Sequence, residues 1–430
     1  MTLSATPARA NGPALTSLLL IALSFGVVLS PWSTKMAGAA WLVWCLWGIA
    51  LRLLSRVETA QAGHPAMPAV HAWAAGCVAA LGLAMVKAGY WGDPFDEVYA
   101  YLRLVLSAAA AWWVLSRTSL PRDMPGHIGD AVAAQCAVAF LCMGWLMWKF
   151  PGDPRNLLPA NAIVWAQAVA FALCLLVPLL LCATDRPAWR RAAWWLGAAL
   201  GCAAILMSQS RGAYGVFAWM GLLLAMHWRD VHRCWPVRRL AVLAGVACVV
   251  MAAVWWAPGD PFKMRKAEHE IAQAETNAVY DTSLGIRLYL WNMAWQGLRE
   301  SPLVGVGETE RLRRIKHAGI ELPEPQREKF ALVRGMGHVH NQFLHAALDG
   351  GVMGLGAVLA LIAGLGMAAW RLRKVDRLAA RQMAGLLFAH VAGGLTNVNL
   401  AHNFYVVSLA VAAAVVLVGS RERMAAASGP

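Results

Sequence analysis

Charged residues are scarce in this sequence. Only 14% of its 430 residues are Asp, Glu, Lys or Arg, whereas 59% are hydrophobic. Soluble domains usually carry about 25% charged residues, so the composition excludes an ordinary water-soluble fold. Acidic residues are the rarer kind, with 23 Asp and Glu against 37 Lys and Arg, which leaves a net charge of +14. The bilayer is therefore the expected solvent.

Long apolar runs fill most of the chain. Many approach the length that a helix needs to cross roughly 30 Å of hydrocarbon. The sequence predicts an all-α polytopic membrane protein with about 12 transmembrane helices and one large helical periplasmic loop between spans 9 and 10. No convincing small-residue cleavage site follows Ser30, so the first run is interpreted as a helix and not a signal peptide. The expected spans are residues 14–30, 37–54, 69–90, 98–115, 128–149, 161–183, 192–208, 212–228, 239–257, 351–370, 382–396 and 402–420.

Lys and Arg residues favour one set of the connections between spans, which the positive-inside rule places in the cytoplasm. Both termini are then cytoplasmic, and residues 258–342 face the periplasm. Because topology accounts for most of the net charge, nucleic acid is not an expected partner. The cytoplasmic basic residues are Arg52, Arg56, Arg117, Arg122, Arg186, Arg190, Arg191, Arg229, Arg233, Arg238, Arg239, Arg371, Arg373, Lys374, Arg377 and Arg381.

Cysteine is absent from the exported segment, so no disulfide holds it. The domain organisation follows: residues 1–257 carry transmembrane helices 1–9, residues 258–342 form the periplasmic loop domain, and residues 343–430 carry helices 10–12. No internal repeat is detectable. The polar loop is therefore the predicted working domain.

Three helices are expected around the loop, besides a short basic helix that holds Arg311, Arg313, Arg314 and Lys316. The first is capped by Asp260 and runs to about residue 276. The second has an apolar stripe that should lie against the membrane or the bundle, and Gly305 and Gly307 should form a flexible connection after it. Asn341 should cap a third helix that leads into the tenth span. The stripe consists of Leu284, Leu288, Trp291, Trp295 and Leu298.

Two arginines are candidate anion-binding groups. Arg211 lies in Ser210-Arg211-Gly212-Ala213, a tight connection between spans 7 and 8, where a fixed cation beside helix N–H groups suits a phosphate. Snorkelling to the interface is the simpler reading of that residue. Arg287 lies one turn before Trp291 and could reach a lipid-linked anion, or could be an ordinary solvated residue.

A histidine pair precedes the third helix. His338 and His340 follow two glycines at a helix mouth, where an unprotonated imidazole could act as a general base. A pair that only caps the helix is a serious alternative. No cysteine or tight carboxylate cluster lies nearby to complete a zinc site, so no metal is expected.

These motifs, taken in order, resemble the O-antigen ligase and polymerase superfamily. The resemblance covers about residues 205–360 and rests on Ser210-Arg211-Gly212-Ala213, on Arg287 with Trp291, on Pro302-x-x-Gly305-x-Gly307 and on His338-x-His340-Asn341. Members of this superfamily handle glycans carried on undecaprenyl pyrophosphate at the periplasmic face of the bacterial inner membrane. The length and the single dominant loop are most similar to the O-antigen ligase, which transfers the glycan to lipid A-core in lipopolysaccharide biosynthesis.

The resemblance implies an inverting, metal-independent transfer without a cofactor. His338 would be the general base, Arg211 and Arg287 would bind the pyrophosphate, and His340 and Asn341 would orient the site. Which histidine is the base stays open. Arg265 is a weaker pyrophosphate candidate, since only its basic, membrane-near setting supports it. Donor, acceptor and membrane lipids are the expected partners.

Three other functions remain possible. An O-antigen polymerase or a protein O-oligosaccharyltransferase would use the same donor with another acceptor. A polytopic transporter or flippase would share the twelve-span plan, but it should show ionisable residues in mid-helix and internal symmetry. His390 is the main ionisable residue inside a predicted span. A single histidine in such a position is more often a packed polar residue than a proton relay.

Overall fold

The computed structural model describes residues 12–54, 64–117, 123–151, 154–182, 186–232, 264–277 and 280–420. Every regular element in these ranges is helical. The α-helices are α1 (Gly12–Leu29), α2 (Thr34–Leu54), α3 (Met67–Trp91), α4 (Asp96–Arg117), α5 (Met124–Lys149), α6 (Ala162–Cys182), α7 (Ala188–Met207), α8 (Gly215–His232), α9 (Met264–Asn277), α10 (Ser283–Glu300), α11 (Gly307–Lys316), α12 (Glu324–Arg327), α13 (Ala331–Arg334), α14 (Gln342–Leu372), α15 (Arg377–Gly394) and α16 (Asn403–Gly419). Short 3-10 helices lie at Pro154–Leu157, Arg211–Ala213, Glu328–Phe330 and Asn399–Ala401.

The helices agree in position with the predicted spans. Every predicted span overlaps one of them except the ninth, residues 239–257, which lies outside the described residues. Within the described part of the chain, six helices are long and apolar enough to cross a membrane. Twelve crossings therefore stay a prediction, while a multi-pass helical protein is confirmed. The six are Thr34–Leu53, Met67–Trp91, Asp96–Ser116, Met124–Lys149, Ala162–Cys182 and Gln342–Leu372, and Ser17–Leu29 and Asn403–Gly419 are shorter apolar helices.

Helix α6 lies at the centre of the bundle. Its side chains are buried almost throughout, because α5, α7, α8, α15 and α16 all pack around it. A helix that is apolar on every side belongs in such a position. Its N-terminal end reaches the same side of the bundle as the connections α7–α8 and α15–α16, through contacts described below.

The long helix α14 packs along α3. The two backbones approach closely at Gly76 and Gly364, where a Cβ on Gly76 would lie 2.6 Å from the Cα of Gly364. Small residues allow this kind of contact between membrane helices, where dispersion and not water exclusion drives association. The pairing fixes α14, which also carries the end of the loop domain.

The loop domain has its own apolar core, and helix α10 contributes a second face to it. The side chains of Ile286, Leu290 and Met293 face this core, whereas Trp295 of the predicted stripe is 49% exposed. The large residues of the stripe produce the period seen in the sequence. The side chains that are buried in the loop core lie on a second face of the same helix. The core also includes Ala294, Val306, Ile315, Ala318, Phe330, Val333, Val339 and Leu348.

A break in α14 joins the loop domain to the bundle. The helix begins at Gln342, well before the predicted start of the tenth span, and is interrupted at Gly351, where φ is +55°. The segment after α10 fills the break: Val352 N–H donates to the Pro302 carbonyl (3.0 Å), and Val306 N–H donates to the Leu348 carbonyl (2.8 Å). The expected flexible connection at Gly305 is thus a fixed one, since a Cβ there would lie 2.5 Å from the Leu348 carbonyl oxygen.

Candidate active site

Three arginines from separate elements line one cavity of about 240 Å³. Arg155 comes from the 3-10 turn between α5 and α6, Arg211 from the turn between α7 and α8, and Arg287 from α10. One carboxylate, Glu270, is also part of the lining. The remaining lining residues are Ile163, Gln209, Gly212, Ser283, Leu284, Trp291 and Thr396.

The turn that carries Arg211 is fixed on two sides. The Ser210 hydroxyl donates to the Ala162 carbonyl (2.8 Å), and Gln167 Nε2 donates to the Gly212 carbonyl (2.7 Å), so α6 holds the turn. Gly212 also packs against the α15–α16 connection, because a Cβ there would lie 2.1 Å from the Thr396 hydroxyl. The predicted tight connection is confirmed, and Arg211 is one of the residues that line the cavity.

Arg287 is half-buried on the first turns of α10. Its Nη1 donates to the carbonyl (2.7 Å) and the hydroxyl (2.9 Å) of Ser283. Burial lowers the pKa of Arg287, and the charges of Arg211 and Arg155 act in the same direction. A guanidinium stays protonated even so. Three like charges held together cost free energy that a bound anion would offset.

Glu270 holds the start of α10 beside this cavity. Its side chain is buried, and Oε2 accepts the Leu284 N–H (3.0 Å) at the start of α10. Thr282 caps the same helix by accepting the Gly285 N–H (3.0 Å). These contacts set the direction of the helix and hence the position of Arg287. The cavity keeps an excess of positive charge over this single carboxylate.

The two histidines form a turn directly before α14. The ring centroids of His338 and His340 are 4.4 Å apart, and His402 from the α15–α16 connection lies 6.1 Å from His338. His340 has φ +54°, a left-handed conformation that is uncommon outside glycine. Asn341 caps α14 as predicted, since its Oδ1 accepts the N–H groups of Phe343 (3.0 Å) and Leu344 (3.1 Å).

Burial keeps both imidazoles unprotonated. It lowers the pKa of His338 to about 3, with smaller contributions from His340, His402 and Arg311. It lowers the pKa of His340 to about 4, and the nearby charge of Arg287 adds to the effect. In the part of the chain that the structure describes, the Nδ1 atom of His338 has no hydrogen-bond partner. A neutral imidazole with an open nitrogen can accept a proton.

Trp291 connects the cavity to the histidine turn. Its indole ring lines the cavity, and its N–H donates to the carbonyl of Val339, between the two histidines (3.0 Å). Arg287 lies one turn earlier on the same helix. The cationic cavity and the unprotonated imidazoles are therefore neighbours at one end of the bundle.

Most of the predicted site residues thus come together, and the structure adds two. Arg155 lies in the connection between predicted spans 5 and 6, and His402 at the start of the twelfth, and no local motif marks either residue. The side chain of Arg265, on α9, lies outside the described residues. His390 is buried and hydrogen-bonded to the Tyr405 hydroxyl (2.7 Å), as expected for a packed polar residue.

The fold and the site define a class: a multi-pass helical membrane protein with a cationic cavity and a histidine turn at one end of its bundle. Residues 196–359 match the family model described as O-antigen ligase. This match supports the resemblance to the O-antigen ligase superfamily and indicates a membrane glycosyltransferase-like enzyme of ligase or polymerase type. No curated protein matches the chain. The matched range includes Arg211, Arg287 and the histidine turn, whereas Arg155 and His402 lie outside it.

Proposed function

We propose that the protein is an O-antigen ligase that transfers a glycan from undecaprenyl pyrophosphate to lipid A-core at the periplasmic face of the bacterial inner membrane. The observation that carries this proposal is the convergence of Arg155, Arg211 and Arg287 on one cavity beside the histidine turn. The pyrophosphate of the donor is esterified at both ends and is a dianion, and guanidinium groups bind such phosphates with paired charge-assisted hydrogen bonds.

The arginines act on the donor. They hold the two phosphates in the ground state and stabilise the charge that develops as the bond from the anomeric carbon to the pyrophosphate oxygen breaks. Because pyrophosphate is already a good leaving group, positioning and fixed positive charge supply most of what this step needs. The donor's lipid anchor stays in the bilayer, which suits a cavity between helix ends.

His338 acts on the acceptor. Its unprotonated imidazole takes the proton from an acceptor hydroxyl while that oxygen attacks the anomeric carbon on the face opposite the pyrophosphate. Configuration inverts, and the products are the glycosylated acceptor and undecaprenyl pyrophosphate. His340 lies 4.4 Å away by ring centroids and Asn341 caps the next helix, so both orient the turn.

The test is glycan transfer by purified protein. The donor is an undecaprenyl-pyrophosphate glycan, the acceptors are lipid A-core, a second donor molecule and an acceptor peptide in separate reactions, and chelator is present throughout. We expect transfer to lipid A-core that resists the chelator. His338→Ala should lower it by roughly 10²–10⁴-fold, the usual range for loss of a general base.

A matched control is His317→Ala. His317 is an exposed histidine on the same loop domain, and its ring hydrogen-bonds to the Arg313 carbonyl of its own helix (2.8 Å). It should keep full activity. A fully active His338→Ala protein would remove the assigned base. Transfer only to the second donor molecule or only to the peptide would instead identify a polymerase or a protein glycosyltransferase, and intact donor with no transfer would favour a transporter.

A further inference from the structure

A buried ion pair lies beneath the histidine turn. Arg311 of α11 and Asp349 of α14 are 3% and 2% exposed, and Arg311 Nε donates to both carboxylate oxygens of Asp349 (2.7 and 3.0 Å). Removing two charges from water is costly, and apolar residues of similar size often replace such a pair without loss of stability. Stability alone is therefore a poor explanation for this pair.

The guanidinium has a second partner in the site. Nη1 of Arg311 donates to the carbonyl of Gly337, the residue directly before His338. The planar, fork-shaped group thus joins Asp349 on one side to the backbone of the histidine turn on the other. A Cβ on Gly337 would meet nothing within 4 Å, so no neighbouring atom packs against the peptide on that side.

Both partners of the ion pair are fixed by the helix break in α14. Asp349 lies between Leu348, whose carbonyl accepts the Val306 N–H (2.8 Å), and the interruption at Gly351. Helix α11 begins at Gly307, immediately after Val306. The break therefore sets the distance between Asp349 and Arg311 and, through Arg311, the position of the histidine turn.

We propose that Arg311, anchored by Asp349, is a positioning residue that holds the backbone of the His338 turn in the orientation that proton transfer requires. This inference rests on the proposed role of His338 as the base. Arg311 is not among the residues that line the cationic cavity. It acts through the Gly337 carbonyl and through its charge.

The charge of Arg311 is one of the nearby influences on the pKa of His338, which it lowers. The titratable and charged groups around His338 are His340 on the same turn, His402 from the α15–α16 connection, His345 on α14 and Arg311 on α11. Burial is the largest cause of the low pKa of His338. Loss of the guanidinium would free the turn, admit water and let that pKa rise.

The experiment compares Arg311→Gln and Arg311→Lys with Arg313→Gln. Arg313 lies on the same helix, exposed, and pairs with Glu310, so its loss changes the local charge equally but leaves the turn alone. For each protein we would measure kcat and donor KM for transfer. We would also measure, by peptide mass spectrometry, the pH dependence with which diethyl pyrocarbonate modifies His338.

Both Arg311 variants should lose roughly 10–100-fold in kcat, as expected when a reacting group is misplaced, while donor KM stays within about threefold. The midpoint of His338 modification should move to higher pH in Arg311→Gln and stay unchanged in Arg313→Gln. The modification does not depend on transfer, so it tests the positioning role even if the proposed reaction is wrong. An unchanged midpoint together with wild-type kcat would overturn the inference.

The double variant Arg311→Leu/Asp349→Leu addresses folding. It removes both charges together, so no unpaired charge is left buried. We expect a Tm close to that of the wild type and the same loss of kcat as in Arg311→Gln. Recovery of wild-type kcat in the double variant would show that the pair is only structural.

Discussion

At the scale of single residues, the site combines three guanidinium groups with imidazoles that stay neutral. Arg155, Arg211 and Arg287 line the cavity, and burial keeps His338 and His340 unprotonated. The two groups influence each other, because the charge of Arg287 lowers the pKa of His340. Binding of a pyrophosphate would neutralise part of that charge and make the neighbouring imidazoles stronger bases.

The pH dependence of the reaction tests this coupling. A base with an ordinary histidine pKa near 6.5 would lose roughly 30-fold in kcat/KM at pH 5. Burial lowers the pKa of His338 to about 3, so kcat/KM should stay nearly constant from pH 8 to pH 5. The acid limb of kcat, which reports the complex with donor, should lie at higher pH. A kcat/KM midpoint near 6.5 would contradict the burial of the base.

Arg155 is a candidate donor-binding residue that only the structure reveals. Arg155→Ala should raise donor KM by about tenfold or more, as Arg211→Ala and Arg287→Ala should, because each removes one charge-assisted contact. The matched control is Arg299→Ala, an exposed arginine at the end of α10 that stacks on Trp295 with its Cζ 5.3 Å from the ring centroid. An unaffected KM in Arg155→Ala would exclude it from the donor site.

The same residues show what the sequence can reveal. His338, Asn341 and Arg211 belong to local patterns, in which a turn or a cap specifies the neighbouring residues, and these were predicted. Arg155 and His402 reach the site only because α6 and the α15–α16 connection pack beside the turn at Arg211. A single sequence contains no signal for such long-range contacts.

At the scale of elements, the break in α14 organises the loop domain. Gly351 has φ +55° and ψ −138°, a conformation that only glycine adopts easily, and a Cβ there would lie 2.4 Å from the Leu303 backbone. The amphipathic period of α10 was predicted but its buried face was not. Periodicity detects the large residues of the stripe, whereas burial depends on which face meets the loop core.

Gly351→Ala should therefore destabilise the protein by about 1–3 kcal/mol and reduce transfer, because the segment from Pro302 to Gly305 would be displaced. The measurements are Tm in detergent and the transfer rate. Gly89→Ala is the control, since Gly89 lies on α3 and a Cβ there meets nothing within 4 Å. Equal effects of the two substitutions would mean that the break has no special role.

At the scale of the whole molecule, the site lies where helix ends and the loop domain meet. The contacts Gln167–Gly212, Asn341–Leu395 (3.2 Å) and Gln342–Leu400 (3.0 Å) bring the relevant connections to one end of the bundle. The distribution of Lys and Arg predicts that this end of the bundle faces the periplasm. The sequence does not reveal which helices pack together, such as α6 at the centre and α14 along α3. Apolar segments of similar composition give no information about their neighbours.

Labelling of single cysteines tests the proposed orientation. In a background without native cysteines, Lys316→Cys on α11 and Lys374→Cys after α14 place one exposed thiol at each end. A membrane-impermeant maleimide should label position 316 in spheroplasts and position 374 only after permeabilisation. The reverse pattern would place the site in the cytoplasm, where the proposed reaction does not occur.

A structure of the His338→Ala protein with an undecaprenyl-pyrophosphate glycan bound would test the proposed site most directly. We expect the two phosphates to occupy the cavity within hydrogen-bond distance of Arg211 and Arg287, with the first sugar next to the position of the missing imidazole. A pyrophosphate group bound elsewhere on the protein, with this cavity empty, would contradict it.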